Sequence, residues 1–398
     1  MDRDCVAPAV TAQPSSWQGV FSLMLGTFAL VASEFLPASL LTRMASDLRI
    51  SEGAAGQAVT ATAVMAGVAA LTAPVLSRGL DRRAVLGVFG VLLVASNAIV
   101  SLAPGLTMLL LGRLLLGVAI GGFWSLAASV VSRLVPLQAA PKAMSIIMIG
   151  VSAATVCAAP AGALMGELWG WRAVFAVASG VGVVALITQR MCLPVMPPMS
   201  FVSIRDMLKA TRSLPVRVGL ITSVLMFGGH FAGFTYVRPF LEGAVELSAP
   251  MVSGVLLAFG VAGFAGNLAG SMGVARSLSA TAILAPLLIA LSTVTMAAFA
   301  PVTHVSVPMT ALWGLAFGAV PIAAQTWMMR AAPNQLESVG GVFIAVIQAS
   351  IVFGSIAGGV LVDRVGTRAP LLFASLLAAL ASIVFWQFGA RDGRSSEV

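Results

Sequence analysis

Charged side chains are scarce in this chain of 398 residues. Asp, Glu, Lys and Arg together make up only 9% of it, against about 25% in a typical soluble protein. Hydrophobic residues make up 59%, and the mean hydropathy is +1.02. This composition excludes a water-soluble globular protein and predicts a protein that crosses a membrane several times.

Side chains that commonly bind metals or act as nucleophiles and proton donors are also few. The chain has three cysteines, two histidines and one tyrosine, so neither a disulfide framework nor a metal site is indicated. No phosphate-binding loop or catalytic triad is visible, and we predict a protein that is not an enzyme, has no cofactor and does not itself hydrolyse ATP. The net charge of +8 comes from dispersed basic residues, which argues against nucleic acid as a partner.

Long apolar runs are what the chain has in abundance. Twelve of them are long enough to cross about 30 Å of hydrocarbon. They lie at 18–41, 54–76, 84–103, 106–131, 143–166, 173–193, 216–240, 251–272, 279–300, 305–329, 339–361 and 369–389. The sequence therefore predicts an all-α membrane protein with twelve transmembrane helices.

The basic residues indicate how these spans are oriented. If the N-terminus is cytoplasmic, fifteen of the 22 Lys and Arg residues lie on the cytoplasmic side, six lie outside and Arg113 lies within a span. Because short cytoplasmic loops carry the excess of Lys and Arg, we predict that both termini are cytoplasmic.

An internal repeat divides the chain into two halves. The string around Glu167 recurs 196 positions later around Asp363, with the following glycine and arginine in register. We predict two pseudo-symmetric bundles of six helices, at 17–193 and 216–390, as in transporters built from repeats. A cytoplasmic linker with a short amphipathic helix is predicted at 194–215, a disordered cytoplasmic tail at 1–16 and a second cytoplasmic tail at 391–398.

One carboxylate, Glu34, lies in the middle of an apolar run. An ionised carboxylate in hydrocarbon costs about 2 to 4 kcal/mol on insertion scales, so it is expected to face a polar cavity or a partner. At 1.5 Å per residue, Glu34 and Arg113 both lie about 10 Å below the outer surface. A neighbouring arginine favours the charged carboxylate and apolar surroundings favour the neutral one, so the pair is a candidate for proton binding. The alternatives are an interfacial acid at Glu34 and an Arg113 that joins helices through backbone carbonyls.

Other polar and aromatic residues fall inside the spans. His230 and Trp313 lie at a similar depth to Glu34; the histidine either carries protons or packs in the core. Aromatic faces stack on planar bases, and buried amides form paired hydrogen bonds with a purine edge or join helices. The remaining candidate substrate-binding residues are Phe123, Trp124, Phe234, Tyr236, Gln57, Asn267, Gln325 and Gln348.

Three strings carry a family resemblance: GTFALVASEFLPASLL at 26–41, GRLLLGVAIGGFWSLAASVVSRLVP at 112–136 and GHFAGFTYVRPFL at 229–241. With the twelve spans, they resemble the major facilitator superfamily, in its bacterial drug:proton antiporter branch. The resemblance implies a cavity lined by spans 1, 4, 7 and 10. It also implies a cytoplasmic loop motif after span 2, for which the chain offers Arg78, Asp81, Arg82 and Arg83.

The resemblance implies a proton-coupled exporter in a bacterial inner membrane that works by alternating access. Its expected partners are protons, a small-molecule substrate and the lipid bilayer, and a monomer is expected. Within the branch the similarity is greatest to exporters of purine ribonucleosides. A broad drug exporter or an arabinose-like sugar exporter is the alternative, and a membrane sensor without transport is the second alternative.

Overall fold

A computed structural model describes residues 16–77, 79–136, 139–197, 211, 213–332 and 336–389. These residues form thirteen α-helices and a closing π-helical turn, Phe385–Gly389. The helices are α1 Trp17–Leu48, α2 Glu52–Leu76, α3 Arg82–Ser101, α4 Leu106–Leu134, α5 Ala140–Trp169, α6 Trp171–Cys192, α7 Leu214–Phe234, α8 Val237–Gly243, α9 Ala249–Arg276, α10 Leu278–Ala298, α11 Thr303–Ala331, α12 Leu336–Arg364 and α13 Ala369–Val384.

Within the described residues, twelve helices are long and apolar enough to cross a membrane. Each corresponds to one of the twelve apolar runs, and the prediction of an all-α protein with twelve membrane spans is confirmed. We call the end of the bundle where α1 begins and α13 finishes the terminal end, and the opposite end the distal end.

Span 7, predicted as the apolar run 216–240, is broken near its distal end. Helix α7 ends at Phe234, and the short α8 begins at Val237. Pro239 lies one turn after Thr235 and has no N–H to donate to the Thr235 carbonyl, so the helical hydrogen bonding is interrupted there.

The two halves pack internally in similar ways. In the first half α1 packs on α5 and α6, and α4 packs on α2 and α3; in the second half α11 packs on α9 and α10, and α7 packs on α12 and α13. Three helix pairs join the halves: α2 with α12, α5 with α9 and, more locally, α1 with α8. This arrangement places α1, α2 and α5 beside the second half.

The halves are tied together at the distal end. Asp363 of α12 accepts hydrogen bonds from the Gly53 backbone N–H (3.0 Å) and the Ser51 hydroxyl (2.7 Å) at the start of α2. Arg238 of α8 donates to the Ser39 carbonyl of α1. Because free N–H groups at a helix start attract negative charge, the Asp363 carboxylate acts as a cap for α2 across the two halves.

The hydrophobic clusters show a different arrangement at the terminal end. One cluster in the middle of the bundle mixes both halves, with Ala38 and Ala163 from the first and Phe240 and Trp313 from the second. Toward the terminal end, two clusters among the described residues draw on one half each. The conformation is therefore closed at the distal end, with the two halves packed separately near the termini.

The linker and the tails lie largely outside the described residues, as does the predicted amphipathic helix around 201–208. The segment that follows α6 has no regular secondary structure as far as Pro197. The Arg82 N–H donates to the Met196 carbonyl (2.9 Å), and Arg133 donates to the Pro197 carbonyl. These bonds hold the end of the first half against its own helices.

Candidate functional site

The site begins with a proline inside α1. Pro37 has no N–H, so the carbonyl of Ser33, four residues earlier, loses its usual partner in the helix. The Arg113 guanidinium of α4 donates to this carbonyl at 2.8 Å. The arginine thereby replaces the backbone hydrogen bond that the proline removes.

Arg113 joins three helices through backbone carbonyls. It also donates to the Ala58 carbonyl of α2 (3.2 Å) and more weakly to the Glu34 carbonyl of α1 (3.4 Å). Its side chain is fully buried, with 0% exposure. The sequence left a proton-binding pair and a helix-joining arginine open, and the observed hydrogen bonds are those of the second.

The Glu34 carboxylate, by contrast, is free. Its side chain is only partly buried, and no hydrogen bond or ion pair among the described residues involves its oxygens. Arg113 is near enough to act on it electrostatically. A carboxylate beside a fixed positive charge, without a committed partner, is able to exchange a proton with an approaching solution.

Asn97 of α3 belongs to the same network, and the sequence analysis missed it. Its amide nitrogen donates to the Ser33 hydroxyl at 2.8 Å, and that hydroxyl donates to the Ala29 carbonyl at 2.8 Å. Asn97 is fully buried, and its amide oxygen has no partner. It is an amide in the middle of an apolar run, the same signal that identified the other four amides.

Phe35 connects this network to the second half of the protein. Its ring meets that of Phe234 on α7 edge to face, with centroids 5.8 Å apart. Glu34 and Phe35 are adjacent, so the free carboxylate lies one residue from a contact between the two halves. Movement of the halves will therefore change the surroundings of Glu34.

Phe234 leads into an aromatic cluster, which we define as His230, Phe234, Phe259, Trp313 and Phe317. The imidazole of His230 stacks on Phe317, with centroids 3.4 Å apart and planes 4° from parallel. The ring of Phe234 is also stacked with His230, with centroids 5.3 Å apart and planes at 15°. Trp313 meets His230 at 5.5 Å and 72°, and Phe259 stands 5.7 Å from Trp313.

Three polar atoms in the aromatic cluster have no hydrogen-bond partner. They are both ring nitrogens of His230 and the indole nitrogen of Trp313, and the two side chains are 1% and 0% exposed. An unpaired polar group in such a place costs about 1 to 3 kcal/mol. The structure thus brings together three of the predicted site residues, His230, Phe234 and Trp313.

The other predicted aromatic residues lie elsewhere. Phe123 and Trp124 contact each other edge to face at 5.7 Å within the cluster of the first half. The Tyr236 hydroxyl donates to the Ser355 carbonyl at 2.9 Å, near the distal end. A Cβ on Gly56 of α2 would collide with this tyrosine, so Tyr236 packs where the two halves meet.

The four predicted amides are dispersed. Gln348 is 6% exposed and its amide oxygen has no partner. Gln57 is half-buried and donates to the Gly53 carbonyl (3.4 Å), and Asn267 is half-buried as well. Gln325 is exposed, so the expectation that it is buried was wrong, because counting residues along a span gives depth and not the direction that a side chain faces.

The loop after α2 makes its contacts within the first half. Asp81 caps α3 by accepting from the Ala84 N–H (3.1 Å), and its other oxygen accepts from the Met196 N–H (2.6 Å). Arg82 is buried and donates to the Ser77 hydroxyl at 2.6 Å. Arg83 donates to a carbonyl at the end of α6, and Arg78 lies outside the described residues.

Comparison with known proteins adds a second line of evidence. A sequence profile described as Major Facilitator Superfamily matches residues 23–355. The purine ribonucleoside efflux pump NepI of Salmonella enteritidis PT4 is 40% identical over 373 residues, 94% of this chain and 94% of that protein.

Solved structures share the fold. A D-xylose–proton symporter gives a TM-score of 0.76 at 15% identity, and the match covers 94% of this chain and 97% of the symporter. A variant of the nucleoside transporter NupG gives 0.73 at 14% identity, covering 94% and 99% of the two chains. At these identities the two likenesses bear on the fold alone.

Proposed function

The chain belongs to the Major Facilitator Superfamily and is a membrane transporter, and we propose that it exports purine ribonucleosides in exchange for protons. The substrate class comes from the efflux pump that is 40% identical over 94% of both chains. The match covers 94% of both chains, which favours a shared mode of transport.

The free carboxylate of Glu34 is the observation that carries the proton-coupling proposal. It lies near a buried arginine that is already occupied by backbone carbonyls, and beside the Phe35–Phe234 contact between the halves. Enclosing a charged carboxylate in an apolar interface is costly, whereas a protonated one is tolerated much better. Protonation of Glu34 therefore selects which arrangement of the halves is stable.

The cycle follows from the two ends of the bundle. The conformation closed at the distal end receives substrate from the terminal end, which we assign to the cytoplasm. The terminal end then closes and the distal end opens, which exposes Glu34 to the periplasm. A periplasmic proton binds to Glu34, and the substrate leaves. Return to the distal-closed conformation releases the proton inward, so each cycle exchanges substrate for protons.

Transport by alternating access also assigns a role to each part of the chain. Residues 17–193 and 216–390 rock against each other as two bundles, with residues 194–215 as the cytoplasmic linker, and a single chain is sufficient for transport. Both termini then lie in the cytoplasm of a bacterial inner membrane. Protease removal of N- and C-terminal tags in inverted vesicles, and their protection in intact spheroplasts, tests this orientation.

Transport into inverted membrane vesicles tests the function. With an acidic lumen, we expect saturable uptake of labelled inosine and guanosine, and no comparable uptake of arabinose. Glu34→Gln abolishes the stimulation by the pH gradient, whereas Glu246→Gln, which changes an exposed carboxylate of a distal loop, leaves it intact. Stimulated uptake by the Glu34→Gln protein would refute the coupling role, and arabinose uptake without nucleoside uptake would refute the substrate class.

A further inference from the structure

The stacked pair His230 and Phe317 suggests how the aromatic cluster receives a ligand. We infer that Phe317 occupies, in this conformation, the face of His230 on which a planar ligand stacks, and that ligand entry displaces the phenyl ring. The choice of a purine as the first ligand to test rests on the proposed function. The site itself rests on the geometry and the unpaired atoms of the aromatic cluster.

The stacking geometry of His230 and Phe317 is unusual for two aromatic side chains and suits a flat ligand on His230 better than the phenyl ring. Aromatic side chains prefer offset or edge-to-face contacts with centroids about 4.5 to 7 Å apart. Among the ring contacts of the aromatic cluster, His230 and Phe317 alone overlap face to face at 3.4 Å and 4°. A flat heterocycle with uneven charge suits such an overlap better than a phenyl ring, whose negative face is turned toward its partner.

The three unpaired nitrogens of the aromatic cluster require hydrogen-bond donors or acceptors, which Phe317 does not provide. A neutral imidazole has one donor and one acceptor nitrogen, and the indole has one donor. Phe317 covers the imidazole face and supplies no hydrogen-bonding atom. A nucleoside combines a flat base, which suits the imidazole face, with ribose hydroxyls that project from the base and are able to reach the ring edges, where the hydrogen bonds of imidazole and indole lie.

Phe317 lies at the accessible edge of the aromatic cluster. Its side chain is only partly buried, whereas His230, Phe234 and Trp313 are buried. The backbone of α11 next to it packs closely on α9, because a Cβ on Gly318 would collide with the Gly263 carbonyl. Phe317 is therefore expected to leave by rotation of its side chain, with the helix in place.

Ligand binding to the purified full chain in lipid nanodiscs tests the inference. Labelled inosine is the probe, with cytidine and arabinose in parallel. A base-stacking contact changes affinity by roughly 5- to 150-fold. Phe317→Ala removes the competing ring and is expected to tighten inosine binding at least 5-fold, and Phe317→Leu, which fills more of the space without a ring, gives a smaller gain.

Two further variants make the test specific. His230→Phe keeps an aromatic face and removes both nitrogens, so inosine binding is expected to weaken at least 5-fold. Phe264→Ala removes an exposed phenyl ring from α9 and is expected to change binding less than 2-fold. A core-packing role for Phe317 predicts unchanged or weakened binding in Phe317→Ala, and either result overturns the inference, as does unaltered binding by His230→Phe.

The outcomes separate this inference from the proposed function. If inosine is transported and Phe317→Ala does not tighten its binding, the inference fails and the function stands. If inosine does not bind but cytidine binds more tightly to Phe317→Ala, the stacking site stands and the purine assignment fails. If neither nucleoside binds the folded protein, both fail.

Discussion

The pairing of Pro37 with Arg113 yields a prediction that combines two substitutions. Pro37 deprives the Ser33 carbonyl of its helical partner, and Arg113 supplies a replacement at 2.8 Å. Arg113→Met keeps the length of the side chain and removes every donor. Pro37→Ala returns an N–H to α1, which can then bond the Ser33 carbonyl within the helix. The first substitution is therefore expected to do less harm when the second is present.

The magnitude follows from what each carbonyl loses. Arg113→Met alone removes three charge-assisted bonds and leaves the buried Ser33 carbonyl unpaired, which by itself costs about 1 to 3 kcal/mol. With Ala at position 37 that cost disappears, while the bonds to Ala58 and Glu34 are still lost. The two changes are thus expected to couple by about 1 to 3 kcal/mol, within the range seen for residues in direct contact.

The assay is the free energy of unfolding of the four proteins in mixed detergent micelles, taken as a double-mutant cycle. Ser292→Ala combined with Pro37→Ala is the control, because the Ser292 hydroxyl donates to the Ile289 carbonyl within α10 of the second half and shares no partner with Pro37. The control pair is expected to be additive within about 0.5 kcal/mol. Additivity of Arg113→Met and Pro37→Ala would refute the account of Arg113 as the replacement partner.

Two further predictions concern the packing of the bundle. Asp363→Ala removes the cap that the second half places on α2, so the distal end should open more often. The measurement is the rate at which an impermeant thiol reagent, added from the distal side, labels Val59→Cys in a chain whose natural cysteines are replaced by serine. This labelling rate should rise about 5-fold or more. Glu167→Ala, the repeat-related change, breaks an ion pair within the first half and should leave that rate unchanged; equal rates for both variants would contradict the assignment. Gly121→Ala puts a Cβ against the backbone of α2 and should destabilise the protein by about 1 to 3 kcal/mol, whereas Gly180→Ala, with open space around it, should be neutral or stabilising in the same unfolding assay.

The sequence predicted the spans well because composition and length alone determine whether a helix crosses a membrane. The break in span 7 was not predicted, although Pro239 is visible in the string VRPFL, because a proline in a membrane helix is often accommodated without a break. Counting residues gave the depth of Glu34 and Arg113 but not their partners. The shortest hydrogen bond of Arg113 goes to the Ser33 carbonyl, which Pro37 leaves without its helical N–H.

The aromatic cluster could also be predicted only in part, because residue type and depth do not give side-chain partners. His230 and Trp313 were predicted as site residues from their types and depths and Phe234 from its aromatic ring, and the structure brings them together. Phe317 and Phe259 gave no sequence signal that separates them from other phenylalanines in apolar runs. Which ring completes the cluster depends on how α9 and α11 pack, and spacing along one helix does not contain that information.

The most direct test of proton exchange through Glu34 is the proton flux that an inosine gradient drives in proteoliposomes, followed with a trapped pH dye in the absence of any imposed pH gradient. In the wild-type protein and in Glu246→Gln, inosine flow is expected to move protons in the opposite direction. Glu34→Gln is expected to exchange labelled inosine for unlabelled inosine but to move no protons. Proton flux of normal size in Glu34→Gln, or inosine flow without proton flux in the wild type, would contradict proton exchange through Glu34.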